Sequence, residues 1–201
     1  MANTKTIDND KISMDVMDAI YNRHAVRDYL AKKVDASLIN KLLDAAIHAP
    51  TALHEEPRAF VVIQDKKILD RLSDSAKALA LSESKECDSQ QRKHTLDVVN
   101  QEEFNVFYNA HTLIAIYSSF QGPFVTADCW LAAENLMLSA LAYGLASCPI
   151  GFAVSALNLP EWKTELKIPN EMTAIAPIII GWPAGNTLPS DHKPPSILTW
   201  I

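Results

Sequence analysis

Glycine is scarce in this chain: there are five in 201 residues, and none falls in the G-x-G-x-x-G or G-x-x-x-x-G-K spacing. Neither a Rossmann dinucleotide site nor a P-loop is therefore available. Cysteine is scarcer still. Cys87, Cys129 and Cys148 are an odd number without close spacing, which suggests neither a disulfide framework nor a C-x-x-C zinc site and fits a reducing cytoplasm. The polar opening MANTKTIDND lacks the apolar centre of a secretion signal. The longest apolar-rich run, 124–143, is broken by Asp128, Glu134 and Asn135, so it reads as a buried helix and not as a membrane span. Basic charge is in deficit, with 18 Lys and Arg against 24 Asp and Glu, and a nucleic-acid-binding face needs the opposite balance. HEEPR (54–58) begins like a zinc-protease motif, but Arg58 stands where the second histidine belongs and Pro57 would break the helix. His48 and His54 sit six apart across Pro50, a spacing that suits neither a helical nor a strand-paired metal site, so no metal site is expected. No G-x-S-x-G elbow supports a hydrolase.

What is present suits one domain over 1–201, because 48% hydrophobic residues can fill one substantial core. Ser13 can cap a first helix through about Asn22, and Asp35 or Ser37 can start a second that ends before Pro50. AFVVIQ (59–64), TLIAIYS (112–118) and AIAPIIIGW (174–182) read as three strands. Between them lie a helical pattern at 66–81, with Ile68, Leu69, Leu72, Ala76 and Leu79 at helical spacing, and a long central helix closed by a left-handed Gly144. A short loop and helix follow. Residues 82–103 are charged and polar and read as an exposed, mobile insertion with some helix. Prolines 183, 189, 194 and 195 rule out regular structure in the tail, 183–201. Helices around a small sheet make an α+β or short mixed α/β domain.

Within RHAVRDYL (23–30), two arginines and a histidine fall in five positions of an acidic chain. Cations after a helix can simply complement its dipole and meet its last carbonyls. They can equally form an anion site, since an arginine offers a planar fork of donors to phosphate. AIYNRHAVRDY followed by LLDAAIHAPTALHEEPRAFVVI resembles the opening of the FMN-dependent nitroreductase family. The resemblance continues in order through NVFYNAHTLIAIYS, ADCWLAAENLMLSALAYGLASCPIGF, AIAPIIIGWPAG and HKPPSILTW, and so covers nearly the whole chain.

The resemblance implies a small, mostly antiparallel sheet flanked by helices, in a homodimer that exchanges C-terminal tails and holds each FMN at the subunit interface. Arg23 and His24 would meet the ribityl phosphate, with Ala25 beside them, and Arg27 would lie at the N1 and O2 edge of the flavin. A cation there stabilises the negative charge that builds up on hydride uptake. Pro149, Ile150, Gly151 and Phe152 would follow another edge of the ring; an ordinary helix-exit loop is the plainer reading of that stretch. Thr51, Ala52, Leu53 and His54 would form the loop near the cofactor. Lys193 would join the phosphate site, unless it is simply a solvated lysine.

Some positions depart from the family pattern. Ala25 stands where serine is usual, and His54, Glu56 and Arg58 where asparagine, glutamine and tryptophan are usual. A glutamate only accepts hydrogen bonds where an amide also donates, so contacts near the flavin differ. Alternatively, Glu56 and Arg58 pair with one another or across the dimer as a surface salt bridge. The implied activity is an FMN-dependent reductase carrying hydride from NADH or NADPH to a nitroaromatic or quinone-like acceptor by a ping-pong cycle. The flavin carries the chemistry and no dedicated catalytic side chain is required. Two alternatives stand beside it: a flavin- or effector-binding protein of the same fold with little turnover, and other flavin chemistry on this fold.

Overall fold

The computed structural model describes residues 14–84, 93, 96–97, 99, 101, 103–185, 189 and 191–201. Its first helix, α1, is Val16–Asn22, and the N-cap is Asp15, whose carboxylate accepts from the Met17 N–H at 2.8 Å. The expected cap, Ser13, lies outside the described residues. Helix α2 (Ala36–Ile47) follows Asp35, as expected. Strand β1 (Arg58–Ile63) leads into helix α3 (Lys66–Glu83), capped by the Asp65 carboxylate on the N–H groups of Lys67 and Ile68. Strand β2 (Thr112–Ser118) and helix α4 (Val125–Ala142) come next. Gly144, at φ 71°, closes α4 with its N–H on the Leu141 carbonyl, while the Leu145 N–H reaches the Ala140 carbonyl. Those two bonds are the Schellman pattern that a left-handed glycine permits.

One expectation needs correcting. Residues Ala146–Pro149 form a fourth strand, β3, where the sequence suggested a loop. Two short helices follow, α5 (Ala153–Leu157) and α6 (Pro160–Glu165), and then β4 (Thr173–Gly181). The sheet order is β1-β2-β4-β3 with every pair antiparallel, which fits an α+β domain. Most of the 82–103 segment lies outside the described residues; Ser82 and Glu83 close α3, and Val99 is buried.

Strand alternation divides the core in two. Leu113, Ala115 and Tyr117 of β2 face a cluster with Leu69 and Leu72 of α3, Leu157 of α5 and Trp162 of α6. Ile114 and Ile116 face the other way, against Ile39 and Leu42 of α2 and Ala133 and Leu136 of α4. In β4 the parity changes. Register slips between Ile116 and Tyr117, so that Ala176 pairs with Ile116 but Ala174 pairs with Tyr117. The extra residue on β4 turns Ala174 to the α3 side while Ala176 stays on the α4 side. Both central strands are therefore covered on both faces, which is why their sequences are almost unbroken apolar runs.

Candidate active site

Strand β3 is an edge of the sheet, and the segment after α1 runs beside it. Ala25 forms an isolated parallel bridge with Ser147, and the Val26 N–H donates to the Ser147 carbonyl at 3.0 Å. Farther on, the Leu30 N–H reaches the Trp182 carbonyl at 2.9 Å. Tyr29 anchors the segment from below. Its hydroxyl donates to the Val26 carbonyl at 2.7 Å, and its buried ring lies so close to Gly181 that a Cβ there would sit 2.8 Å from Cδ1. Burial raises the Tyr29 phenol well above its ordinary pKa, so the hydroxyl remains a donor.

This side-by-side arrangement creates two cavities along one strand. The first, about 190 Å³, is lined by Arg23, His24 and Val26 from one segment and by Gly144, Ala146 and Ser147 from the other. The second, about 270 Å³, is lined by Arg27 and Tyr108 and by Cys148 through Phe152. The chain thus brings Arg23, His24 and Arg27 together with Pro149, Ile150, Gly151 and Phe152, across more than a hundred residues of sequence. In the first cavity Arg23 Nε lies 3.0 Å from Glu134 Oε1 of α4, and His24 Nδ1 lies 2.8 Å from the Asn22 carbonyl. In the second the Arg27 guanidinium lies 5.8 Å from the centre of the Tyr108 ring, within cation–π range. Phe104 braces that ring edge-on at 5.6 Å, and Tyr108 has a left-handed φ of 49°. Burial raises the Cys148 thiol pKa, while Arg27 and Arg23 pull it back.

Thr51, Ala52, Leu53 and His54 line neither cavity. Their loop hangs instead from the buried Asp128 of α4, whose carboxylate oxygens lie 3.1 and 3.3 Å from the Ala52 nitrogen. Leu53, His54 and Glu56 are all left-handed, with φ of 54°, 56° and 46°, and Leu53 is 81% exposed. Arg58 does not pair with Glu56. Its guanidinium donates to the Ala49 carbonyl at 2.8 Å and the Ile47 carbonyl at 3.1 Å, closing the C-terminal end of α2. Lys193 is exposed and lines neither cavity.

Sequence reasoning missed Tyr108, Ser147, Cys148, Asp128 and Glu134. The signal for the last two was present: Asp128, Glu134 and Asn135 interrupt an apolar helix, and each holds something in place. Asp128 holds Ala52, Glu134 meets Arg23, and Asn135 donates to the Ala45 carbonyl of α2 at 3.3 Å.

Among the described residues no cluster of metal-ligating side chains occurs, and no helix is long and apolar enough to cross a membrane. What the geometry offers is an arginine-lined hollow leading along β3 to a second, arginine- and aromatic-walled one. Known proteins share this architecture. A nitroreductase from Bacteroides fragilis, solved with bound FMN, superposes with a TM-score of 0.78 at 25% identity, covering 94% of this chain and 99% of that one. Another, from Desulfitobacterium hafniense and also with bound FMN, gives 0.76 at 18% identity over 90% and 95% of the two chains, which speaks for the fold alone. In sequence, a Methanothermobacter thermautotrophicus protein named as an NADH dehydrogenase/NAD(P)H nitroreductase is 26% identical over 193 residues, 91% of this chain and 85% of the relative. The Nitroreductase family matches residues 20–182, which takes in all four strands, the second cavity and all of the first but Pro183 and Gly185, and the chain belongs to that family.

Proposed function

We propose that this protein is an FMN-dependent oxidoreductase that takes hydride from NADH or NADPH and delivers it to a nitroaromatic or quinone-like acceptor in a ping-pong cycle. The observation that carries this reading is the pair of adjoining cavities along β3, which places two arginines and a histidine beside the Pro149–Phe152 turn. Arg23 and His24 suit the phosphate, because charge-assisted donors hold a dianion far better than neutral ones. Arg27, Tyr108 and the turn suit a planar ring: a cation for its polar edge, an aromatic wall and backbone N–H groups. FMN, when bound, supplies the hydride chemistry. The chain's own part is to hold it, orient it and place a positive charge where electron density accumulates.

The protein acts as a homodimer in this reading. Met17, Ile20 and Tyr21 of α1, Trp130 and Leu131 of α4, and Leu198 and Trp200 of the tail are exposed apolar side chains that a second copy would cover. The 51–54 loop, with its exposed Leu53, is presented outward to the partner's flavin, and Lys193 reaches the phosphate from the exchanged tail. Equilibrium dialysis with FMN and with riboflavin, which lacks the phosphate, tests the assignment. FMN should bind at least about tenfold more tightly, since each charge-assisted bond contributes roughly 1.5–3 kcal/mol. Equal affinities would remove Arg23 and His24 from the cofactor site.

A further inference from the structure

The arginine that lines the first cavity is not left to itself. Arg23 follows directly on α1 as its C-cap, where a side chain with four rotatable bonds has wide freedom. Glu134, near the middle of α4, meets it at 3.0 Å through Nε. The stoichiometry matters: one carboxylate takes at most two of the five N–H donors of a guanidinium, so donors remain to grip an anion in the cavity that Arg23 lines. A carboxylate this near a phosphate also repels it, so the pair acts in two opposing directions, orientation against charge.

We propose that Glu134 is a positioning residue for the anion grip: it fixes the guanidinium of Arg23 through Nε, and the orientation gained outweighs the repulsion its charge adds. The inference rests on the phosphate assignment made above and goes beyond it, since it gives a function to a carboxylate that does not touch the cofactor. Both partners are part-exposed, 26% for the Arg23 side chain and 47% for Glu134, so the coupling is modest. It is also specific, because it acts on one end of the ligand only.

The test is a double-mutant cycle on FMN and riboflavin affinity, read by equilibrium dialysis of wild type, Arg23→Ala, Glu134→Ala and the double variant. Glu134→Ala should weaken FMN about fivefold, a small orientation effect for a part-exposed pair, and leave riboflavin unchanged. In the Arg23→Ala background the same change should do nothing. FMN affinity that is unchanged or increased in Glu134→Ala overturns the proposal, because charge would then outweigh orientation. Equal loss of both flavins overturns it too, as a packing effect, and so does a loss that persists without Arg23. If wild type itself fails to prefer FMN, the phosphate assignment falls and takes this inference with it; a wild type that prefers FMN beside an indifferent Glu134→Ala sinks this inference alone.

Discussion

Two stretches drawn to the cofactor by family resemblance are built in opposite ways. The 23–29 segment lies on the sheet, with backbone bonds to Ser147 and Trp182 and a buried tyrosine beneath it. The 51–58 loop stands away from both cavities, hung from Asp128 at one end and tied to the close of α2 by Arg58 at the other. One is positioned by strand geometry, the other by two side chains. Two buried thiols register the contrast. Burial raises both; Cys129, beside the loop tether, is pushed further by Asp128 against a smaller pull from Arg58, to about 11, whereas Cys148 is drawn down by Arg27 and then Arg23. The fold thus sets two guanidinium charges near one thiol, and near the other a buried carboxylate that outweighs the single arginine beside it.

The contrast breaks most visibly at Gly181. Gly181→Ala drives a Cβ into the Tyr29 ring, which is held by burial and by its bond to Val26, and should cost roughly 3 kcal/mol, the upper end of the overpacking range. Because the same ring supports 23–29, FMN affinity should fall along with the urea midpoint, while cleavage at Leu53 by chymotrypsin stays as it was. Asp128→Ala should do the reverse on a smaller scale. Losing the acceptor of the half-buried Ala52 N–H should cost about 1 kcal/mol and speed cleavage at Leu53, with little change in the preference for FMN over riboflavin. If each variant moved both readouts together, the two segments would be one unit.

The smallest effect is chemical. In a Cys87→Ser background without flavin, methyl methanethiosulfonate at pH 8.5 should modify Cys148 before Cys129, because two arginines favour the Cys148 thiolate whereas at Cys129 the pull of Arg58 is outweighed by Asp128. Saturating FMN should protect Cys148, which lines the second cavity, and leave Cys129 unaffected. Cys129 also makes stability pH-dependent. With its pKa raised from 9 to about 11, the folded protein keeps a proton that the unfolded chain releases first, so stabilisation present below pH 9 is lost as pH rises toward 11. Urea midpoints across that range should fall, and fall less in Cys129→Ala.

Where burial dictates residue type, the sequence could be read directly. TLIAIYS and AIAPIIIGW lie where both faces of the sheet are covered, and their strands fall within a residue of the expected bounds. Strand β3 carried no such mark. Its four residues, ASCP, are small and few, and only pairing with Cys148↔Ile179 and its neighbours makes them a strand. The site divides in the same way. Arg23, His24 and Arg27 were legible as a cation cluster in an acidic chain, and the Pro149–Phe152 turn through family order. Arg58 was not: its partners are carbonyls 9 and 11 residues back, exposed only because α2 happens to end there. Asp128 and Glu134 looked like flaws in an apolar helix, since their partners are distant in sequence and meet only after folding.

The bridge from Ala25 to Ser147 has a consequence for solubility. An edge strand with open N–H and C=O groups is a template for any passing chain, and proteins usually blunt such edges with charge, proline or a bulge. β3 has no charged side chain, and its free side meets Ala25 and Val26, whose bond to Ser147 consumes an acceptor that another molecule would otherwise find, as Leu30 does for Trp182 just past β4. The residues proposed to receive the cofactor therefore also serve as the sheet's guard rail. Whatever frees them, whether substitution, heat or clipping after α1, turns a binding defect into a sticky edge, and in a cell such a variant would be lost to aggregation before its catalysis could be judged.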